Sequence, residues 1–469
     1  MTEVDAIYSE TEHKPWRENP MIAALPEVIS GEEFASHVIS FPRYDPAVRQ
    51  LSAHARITAL CDCERLFIPF ENHLSLHQRM TRMIRVGYEN RNPLRDLNRK
   101  RLHAAVNEFS ASLKYGVAPH EPTTIQGFAL TGVSGVGKST ALHAVLRFYP
   151  QVIIHREYAE KAINQKQLVW LNLECPSDGS LKSLCRIFFE SVDKIMGTTY
   201  TKDYFKETHS VSRIVPHFAH VAAMTNLGVL IIDEIQALKA KRSQGAEVML
   251  NFFTLLTNTI GIPVVLIGTP EAKEVLDQAL HQIRRDSGQG EMQWGPRPRN
   301  QEWNNYVGSL WQYQYIKQVE PLTEELTQKL HQVSFGIVGF ATKIFVIAQE
   351  RAINAHKERI TTDLLETVAS TDFESAIKKL HKLYRLQDSK SVTQVIPVTA
   401  QAEPKRNSKT GSKKKVSELE PESTSPFLQK PIREAPMLKL SKEASSAKNS
   451  VYDSLKSGGF TRDARELLE

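Results

Sequence analysis

The feature that most constrains this chain is a run of small residues and one lysine between an apolar segment and a helical one. Its sequence is GFALTGVSGVGKSTALHAVL, residues 127–146. Glycines at Gly132, Gly135 and Gly137 let the backbone wrap so that successive N–H groups point inward, and the following helix adds the positive end of its dipole. Such a loop holds phosphate groups. Because it needs a strand before it and a helix after it, it also predicts an α/β architecture.

The loop matches the full pattern G-x-x-x-x-G-K-[ST]. The matching residues are Gly132, Val133, Ser134, Gly135, Val136, Gly137, Lys138 and Ser139, with Thr140 next. In this pattern the lysine neutralises the β- and γ-phosphates of a nucleoside triphosphate, and the hydroxyl of Ser139 binds Mg²⁺. We therefore predict that ATP and Mg²⁺ bind at this loop.

Two further apolar runs end in polar residues that suit the same site. GVLIIDEIQAL leads into Asp233 and Glu234, and IPVVLIGTP ends at Thr269. The carboxyl ends of parallel strands are where such sheets bind ligands, so Asp233 is expected to hold the hydrated Mg²⁺. Glu234 is then placed to act as general base toward water. Thr269 is predicted to sense the γ-phosphate or orient the water; capping the next helix is the alternative, and one side chain can do both.

Between residues 121 and 322, short apolar runs alternate with helical stretches. The runs are IQGFALTG, QLVWLNLE, GVLIIDE, IPVVLIGTP and YQYIKQVEPL. Helices are predicted between them at 138–148, 180–196, 211–226, 246–259 and 270–282. Continuous apolar runs are typical of strands buried on both faces, so the alternation predicts a doubly wound parallel sheet. QLVWLNLE is expected to lie between the phosphate-loop strand and the Asp233 strand, as in ATPases that use a catalytic glutamate.

The remaining segments differ in composition from this α/β domain. Residues 1–44 predict an arm with short ordered pieces rather than a core, and residues 45–120 predict a helical region. Residues 323–386 carry helical periodicity alone and predict a small lid. Residues 387–469 are rich in Ser, Lys, Pro and Glu and include KRNSKTGSKKK, which predicts a disordered basic tail. Its last stretch, SVYDSLKSGGFTRDARELLE, suits an element that folds on a partner.

Net charge and cysteine content limit the possible partners and metal sites but do not identify the function. A net charge of +6 favours an acidic polymer as partner without requiring one. Four cysteines at irregular spacing predict reduced thiols, and no CxxC pair suggests zinc. No stretch reaches the roughly 18 apolar residues of a membrane span, and the first residues lack a secretory pattern, so we expect a cytoplasmic protein with no membrane partner.

Together, the loop, the Asp-Glu strand, the polar-ended strand and the helical lid resemble AAA+ ATPases, which are P-loop enzymes of the ASCE class. In that family an arginine of one subunit reaches the ATP of the next. HQIRRDSGQGEMQWG supplies Arg284 and Arg285 where such arginine fingers occur, with a basic surface pair as the alternative. The family's lid normally contributes an arginine, but GIVGFATKIF offers Lys343, a point charge instead of a bidentate fork.

More narrowly, RRDSGQGEMQW followed by SLWQYQYIKQVEPLT is similar to the TnsC regulators of Tn7-like transposons, relatives of TniB, IstB and DnaC. This resemblance implies an ATP hydrolase that assembles with ATP into a ring or helical filament on double-stranded DNA and leaves on hydrolysis. It also implies a TniQ- or TnsD-type selector at the N-terminal region and the transposase subunits TnsA and TnsB at the tail. The resemblance further implies that the protein is located near the nucleoid of a bacterial cell.

DNA contacts in such an oligomer are expected from loops on its inner surface. Two stretches offer suitable groups: Ser180, Lys182 and Ser183 in the first, and Lys239, Lys241 and Arg242 in the second. Lysine and hydroxyl groups that reach phosphates give affinity without reading bases, although each stretch can equally be a solvated surface. Two other functions remain open: a helicase loader of the IstB or DnaC kind, and a signalling NTPase that assembles on protein.

Overall fold

The computed structural model of the chain describes residues 3–9, 13–94, 127–240, 245–273 and 291–380. Residues 1–365 form one compact unit, and the chain from Glu366 belongs to a second, described over residues 366–380. Several predictions lie outside the described residues: Lys241, Arg242, Arg284, Arg285, most of the helix at 270–282, and the tail at 387–469. The side chain of Lys239 is outside them as well.

The described secondary structure alternates strands and helices through the middle of the chain and is helical on either side. The strands are β1 (Glu3–Asp5), β2 (Phe128–Gly132), β3 (Val152–Tyr158), β4 (Lys161–Leu168), β5 (Trp170–Glu174), β6 (Val229–Asp233), β7 (Val264–Gly268) and β8 (Glu291–Trp294). The helices before and after β2 are α1 (Lys14–Arg17), α2 (Pro20–Ala23), α3 (Gly31–Val38), α4 (Ala53–Ala59), α5 (Glu71–Glu89), α6 (Lys138–Arg147), α7 (Leu181–Met196), α8 (Tyr200–Tyr204), α9 (Val211–Met224), α10 (Gly245–Leu255), α11 (Gln301–Leu310), α12 (Glu324–Ser334), α13 (Val338–Asn354) and α14 (Thr362–Asp372).

The central sheet has the order β5-β6-β7-β2-β8, and each neighbouring pair is parallel. In β6, Leu230 and Ile232 pack into the core formed with α7, α9 and α10. Val229 and Ile231 point to the opposite face and are equally buried. A strand covered on both faces has to be apolar at every position, so the predicted parallel α/β sheet is confirmed.

The order of the strands corrects one prediction. The strand between the phosphate-loop strand β2 and the Asp233 strand β6 is β7, whereas the predicted QLVWLNLE strand, β5, lies at the edge of the sheet. The strand inserted between the two motif strands is thus present, but a later segment provides it. Hydrophobic runs indicate that a strand is buried; they carry no information about which strand lies beside it.

The fifth strand of the sheet is also a different segment from the predicted one. It is β8, the short stretch EMQW, and residues 313–322 contain no strand. Their backbone is bound by side chains instead: Gln349 accepts from the N–H of Tyr315 at 2.7 Å and donates to the carbonyl of Tyr313 at 3.1 Å. Arg56 donates to the carbonyl of Tyr315 at 2.8 Å. Residues 313–316 are thus buried without pairing in a sheet, whereas Val319 is half exposed.

A second, smaller sheet was not predicted. It has the order β1-β3-β4, with β1 parallel and β4 antiparallel to β3. Ala159 and Glu160 connect β3 and β4 with φ values of +48° and +63°. Two consecutive positive φ values are typical of a tight hairpin turn, but such turns normally carry Asn, Asp or Gly. The Ala-Glu sequence therefore gave no turn signal.

The prediction that residues 1–44 stay outside a core is wrong, although they do form short ordered pieces. Met21 in α2 and Phe34 in α3 are both completely buried. Asn19 caps α2 and donates to the carbonyl of Tyr88 at 2.7 Å, which joins this segment to α5. A helix of four residues such as α2 is too short to show periodicity, so the sequence pattern did not reveal the burial of Met21.

The helical regions agree with the sequence where they are described. In α5, Met80, Met83 and Ile84 are buried, and the ring of His77 stacks on that of Phe34 with centroids 3.9 Å apart. The predicted lid is helical over α12, α13 and α14. Among the described residues no single helix has the length and apolar character to cross a membrane; α12 and α13 meet that test only as a pair bent by 116°.

Candidate nucleotide-binding site

The phosphate-binding loop connects the end of β2 at Gly132 to the start of α6 at Lys138. Gly135 and Gly137 have φ values of +81° and +96°, which L side chains rarely adopt. At Gly132 an added Cβ would lie 2.6 Å from the carbonyl oxygen of Trp294 in β8. The three glycines are therefore required by the path of the backbone itself, independently of any ligand.

Lys138 is buried at the base of this loop. Its ammonium donates to the carbonyl oxygens of Gly132 at 2.6 Å and Val133 at 3.2 Å. Burial lowers the pKa of Lys138, while the charges of Asp233 and Glu234 raise it. Phosphate oxygens make stronger bonds to an ammonium than neutral carbonyls do, so these two bonds are readily exchanged for bonds to a triphosphate.

Ser139 and Asp233 meet beside the lysine. The hydroxyl of Ser139 donates to Oδ2 of Asp233 at 3.0 Å, and Oδ1 of Asp233 accepts from the N–H of Glu234 at 2.8 Å. Asp233 is 8% exposed. A hydroxyl and a carboxylate are hard oxygen ligands of the kind that Mg²⁺ prefers, so the two residues predicted to bind the metal fit that ion.

Glu234 follows Asp233 at the end of β6 and is exposed to solvent. Its backbone has a φ of +57°, a left-handed conformation that is unfavourable for a residue with a side chain. Thr269 occupies the matching position after β7, and its hydroxyl oxygen is buried and makes no hydrogen bond to the described residues. It does not cap the following turn with its side chain. Its hydroxyl therefore has an unused capacity for a hydrogen bond, and its function as a γ-phosphate sensor stays a prediction.

One residue of this edge was missed by sequence reasoning. Gln236 donates from its side-chain amide to the carboxylate of Glu234 and accepts from the N–H of Thr269 at 3.1 Å. The sequence DEIQ places it two positions after the predicted base. Because no local pattern shows that its side chain turns back toward Glu234, only the structure reveals the contact.

The start of α13 lies on the phosphate-binding loop. The N–H of Gly339 donates to the carbonyl of Gly135 at 3.1 Å, and Ile337 and Phe340 flank Gly135. Lys343 is one helical turn beyond Gly339 and is exposed. Since residues four apart share a face of a helix, Lys343 lies on the side that meets the loop. Its function as a lid sensor stays a prediction.

Residues 125–276 match the family model described as an AAA domain. The chain contains an AAA-type P-loop ATPase domain. The matched range covers β2 through β7 and includes the loop, Asp233, Glu234 and Thr269. A comparison of the sequence with curated proteins found no match.

Several solved structures are distantly similar to this chain. The ORC1 protein of Aeropyrum pernix, solved in complex with DNA, is 15% identical with a TM-score of 0.36. This chain aligns with 66% of that protein, using 60% of its own length. A Walker-type ATPase of Pyrococcus abyssi is 12% identical, with a TM-score of 0.36 and coverage of 61% of this chain and 76% of that one. The ORC2 protein of A. pernix, with ADPNP and ADP, is 14% identical, with a TM-score of 0.33 and coverage of 61% and 71%.

The first predicted DNA-contacting stretch lies directly after β5 in the AAA domain. Ser180 caps α7, and the hydroxyl of Ser183 donates to Asp178 at 2.8 Å. Lys182 donates to the backbone carbonyl of Glu207 and pairs with its carboxylate at 3.5 Å. All three side chains thus make bonds within the chain, and DNA contact by Lys182 would require it to exchange an exposed ion pair, which is a weak interaction.

The second stretch follows β6 and lies beside the first. An added Cβ at Gly179 would be 3.6 Å from the side chain of Leu238 and 3.7 Å from the carbonyl of Ala237. The turn Ile235–Ala240 contains Lys239, whereas Lys241 and Arg242 lie outside the described residues. Two stretches predicted separately to contact DNA therefore begin on neighbouring positions of one sheet edge.

The contact of α13 with the loop supplies a testable prediction. Gly339→Ala is expected to lower the free energy of unfolding by about 1–3 kcal/mol, because its methyl group would lie 2.7 Å from the carbonyl oxygen of Gly135. The matched control is Gly308→Ala in α11, where an added Cβ meets nothing within 4 Å and should stabilise the helix by about 0.5–1 kcal/mol. Urea unfolding of the full chain measures both, and equal effects would contradict the packing of α13 on the loop.

Proposed function

We propose that this chain hydrolyses ATP and that its ATP-bound copies assemble on double-stranded DNA as a regulator of transposition. The observation that carries the ATPase proposal is the meeting of Lys138, Ser139 and Asp233 at the carboxyl edge of the sheet. These groups come from two separate motifs. Together with exposed Glu234 they provide a phosphate cradle, a metal-binding oxygen pair and a general base.

The proposed reaction uses each of these groups in one step. The loop N–H groups and Lys138 hold the β- and γ-phosphates, and Thr269 contacts the γ-phosphate. Glu234 accepts a proton from water while the water oxygen forms a bond to the γ-phosphorus and the bond to the leaving oxygen of ADP breaks. The products are ADP and inorganic phosphate. Mg²⁺, when bound by Ser139 and Asp233, would neutralise charge on the phosphates.

The proposal extends from the single chain to an oligomer through the sequence resemblance. Arg284 or Arg285 of one copy would reach the ATP of the next, and Lys343 would contact the nucleotide from the lid. DNA would bind across the neighbouring stretches that contain Lys182 and Lys239 by contacts to its phosphates, so binding would not depend on base sequence. The target selector would contact the N-terminal region, and the transposase subunits the tail, in the bacterial cytoplasm near the nucleoid.

The support for the DNA proposal is threefold. The segments RRDSGQGEMQW and SLWQYQYIKQVEPLT are similar to TnsC regulators. The first stretch with candidate phosphate contacts lies beside Ala237 and Leu238, which begin the second. The net charge of +6 favours a polyanion. The alternative function, a helicase loader, would bind and hydrolyse ATP in the same way as a transposition regulator. It would differ in associating with a helicase.

Sedimentation with a labelled duplex tests the proposal. With a non-hydrolysable ATP analogue, the full chain should form large assemblies on duplexes of unrelated sequence; with ADP or no nucleotide, assembly should be weak. If each copy contacts several phosphates, binding should fall steeply between about 50 and 200 mM salt. Lys138→Ala provides the control without nucleotide binding. Equal binding of the duplex with and without nucleotide would contradict the proposal, and preferential association with a replicative helicase would favour the loader.

A further inference from the structure

Gln236 connects the two strand ends that border the proposed reaction site. Its side-chain amide nitrogen donates to the carboxylate of Glu234 after β6, and its amide oxygen accepts from the N–H of Thr269 after β7 at 3.1 Å. A glutamine side chain offers a donor and an acceptor at once, and both are used here. One side chain thus joins the proposed base to the residue proposed to sense the γ-phosphate.

Gly268 leaves room for the side chain of Gln236 because it has no side chain of its own. An added Cβ at Gly268 would lie 3.0 Å from the amide oxygen of Gln236 and 2.7 Å from the side chain of Ile235. Glu234 has the left-handed φ of +57°, so its side chain leaves the strand end in an unusual direction. An exposed carboxylate in that position gains a defined orientation from the amide that binds it.

We propose that Gln236 is a positioning residue for ATP hydrolysis, holding the carboxylate of Glu234 and coupling its orientation to the backbone of Thr269. This inference rests on the proposed ATPase function. A general base must be within hydrogen-bond reach of the attacking water, so freedom of the carboxylate lowers the fraction of productive complexes. When the hydroxyl of Thr269 contacts a γ-phosphate, any movement of its backbone N–H is passed through Gln236 to Glu234.

Two substitutions separate the two hydrogen bonds of Gln236. Gln236→Met has a similar length and removes both bonds, whereas Gln236→Glu keeps an acceptor for Thr269 and removes the donor to Glu234. We expect Gln236→Met to lower kcat about 10- to 100-fold, while the dissociation constant for a non-hydrolysable ATP analogue changes by less than about twofold. The matched control is Gln301→Met in α11, where the amide donates to Asn305 at the surface, and it should leave both quantities unchanged.

Gln236→Glu gives a readout that separates positioning of Glu234 from support of the Thr269 backbone. The variant keeps an acceptor for the N–H of Thr269 but places a second carboxylate against that of Glu234, so the two groups repel each other. We expect its kcat at saturating ATP to fall at least as far as that of Gln236→Met, although the bond to Thr269 is kept. A residue that only supported the backbone of Thr269 would leave the kcat of this variant near the parental value.

The outcomes distinguish this inference from the function on which it rests. If the parental chain hydrolyses ATP, and either Gln236→Met or Gln236→Glu has a kcat within twofold of the parental value, the positioning inference is wrong and the ATPase proposal stands. If the parental chain releases no phosphate from ATP, both are wrong. Retained affinity for the ATP analogue shows that each variant has an intact site.

Discussion

Lys138→Ala is expected to weaken ATP binding by about 100-fold or more, because it removes the one buried ammonium placed among the loop N–H groups and beside Ser139. In the parental chain this ammonium is expected to exchange two carbonyl partners for phosphate oxygens when ATP binds. The alanine variant lacks the ammonium that would offset charge on the β- and γ-phosphates from within the loop. Calorimetric titration with a non-hydrolysable ATP analogue and Mg²⁺ measures the loss.

Lys166→Ala is the matched control for this prediction. Lys166 pairs with Glu3 at 2.7 Å on the surface of the small sheet, with both side chains more than two-fifths exposed. Its removal should leave the dissociation constant for the analogue unchanged. ATP binding by Lys138→Ala with parental affinity would show that the loop does not hold the triphosphate in the proposed way.

Glu234→Gln is expected to bind ATP like the parental chain and to hydrolyse it about 10²- to 10⁴-fold more slowly. The amide has nearly the shape of the carboxylate, but it cannot accept the proton of the attacking water. Because Lys138, Ser139 and Asp233 remain, the binding of nucleotide is preserved. Single-turnover hydrolysis with excess chain separates the chemical step from binding.

Glu271→Gln tests whether the effect is specific to the proposed base. Glu271 is an exposed carboxylate after β7, as Glu234 is after β6, and it lies two residues beyond Thr269. Its substitution should change the single-turnover rate by less than about twofold. If Glu234→Gln hydrolysed ATP at the parental rate, the assignment of Glu234 as base would be wrong.

The features of the site that could be predicted are those fixed by short stretches of sequence. The glycines, Lys138 and Ser139 belong to one loop, and the buried run before Asp233 requires a strand that ends there. Since parallel strands end at the same edge, the contact between Ser139 and Asp233 followed from the fold class. For these residues, local sequence and tertiary position carry the same information.

The features that could not be predicted depend on contacts between distant segments. Residues 313–316 are buried, and their backbone is bound by the side chains of Gln349 and Arg56, which are remote in sequence. The hydrogen bond from the N–H of Thr269 to the side-chain oxygen of Gln236 crosses 33 positions and depends on the order of β6 and β7 in the sheet. Asn19 and Met21 join a core through four-residue helices without a periodic signal. In each case the hydrophobic pattern of the sequence indicated at most that a segment is buried. The residues that each segment contacts are determined by the topology of the fold.

The central claim is that ATP in this site decides whether copies of the chain stay on double-stranded DNA. Its most direct test is the rate at which the chain leaves an immobilised duplex after free ATP is removed. We predict that the parental chain dissociates at the rate of its ATP hydrolysis and that Glu234→Gln remains bound far longer. Dissociation of both at the same rate, or persistent binding by the chain without any nucleotide, would contradict the account.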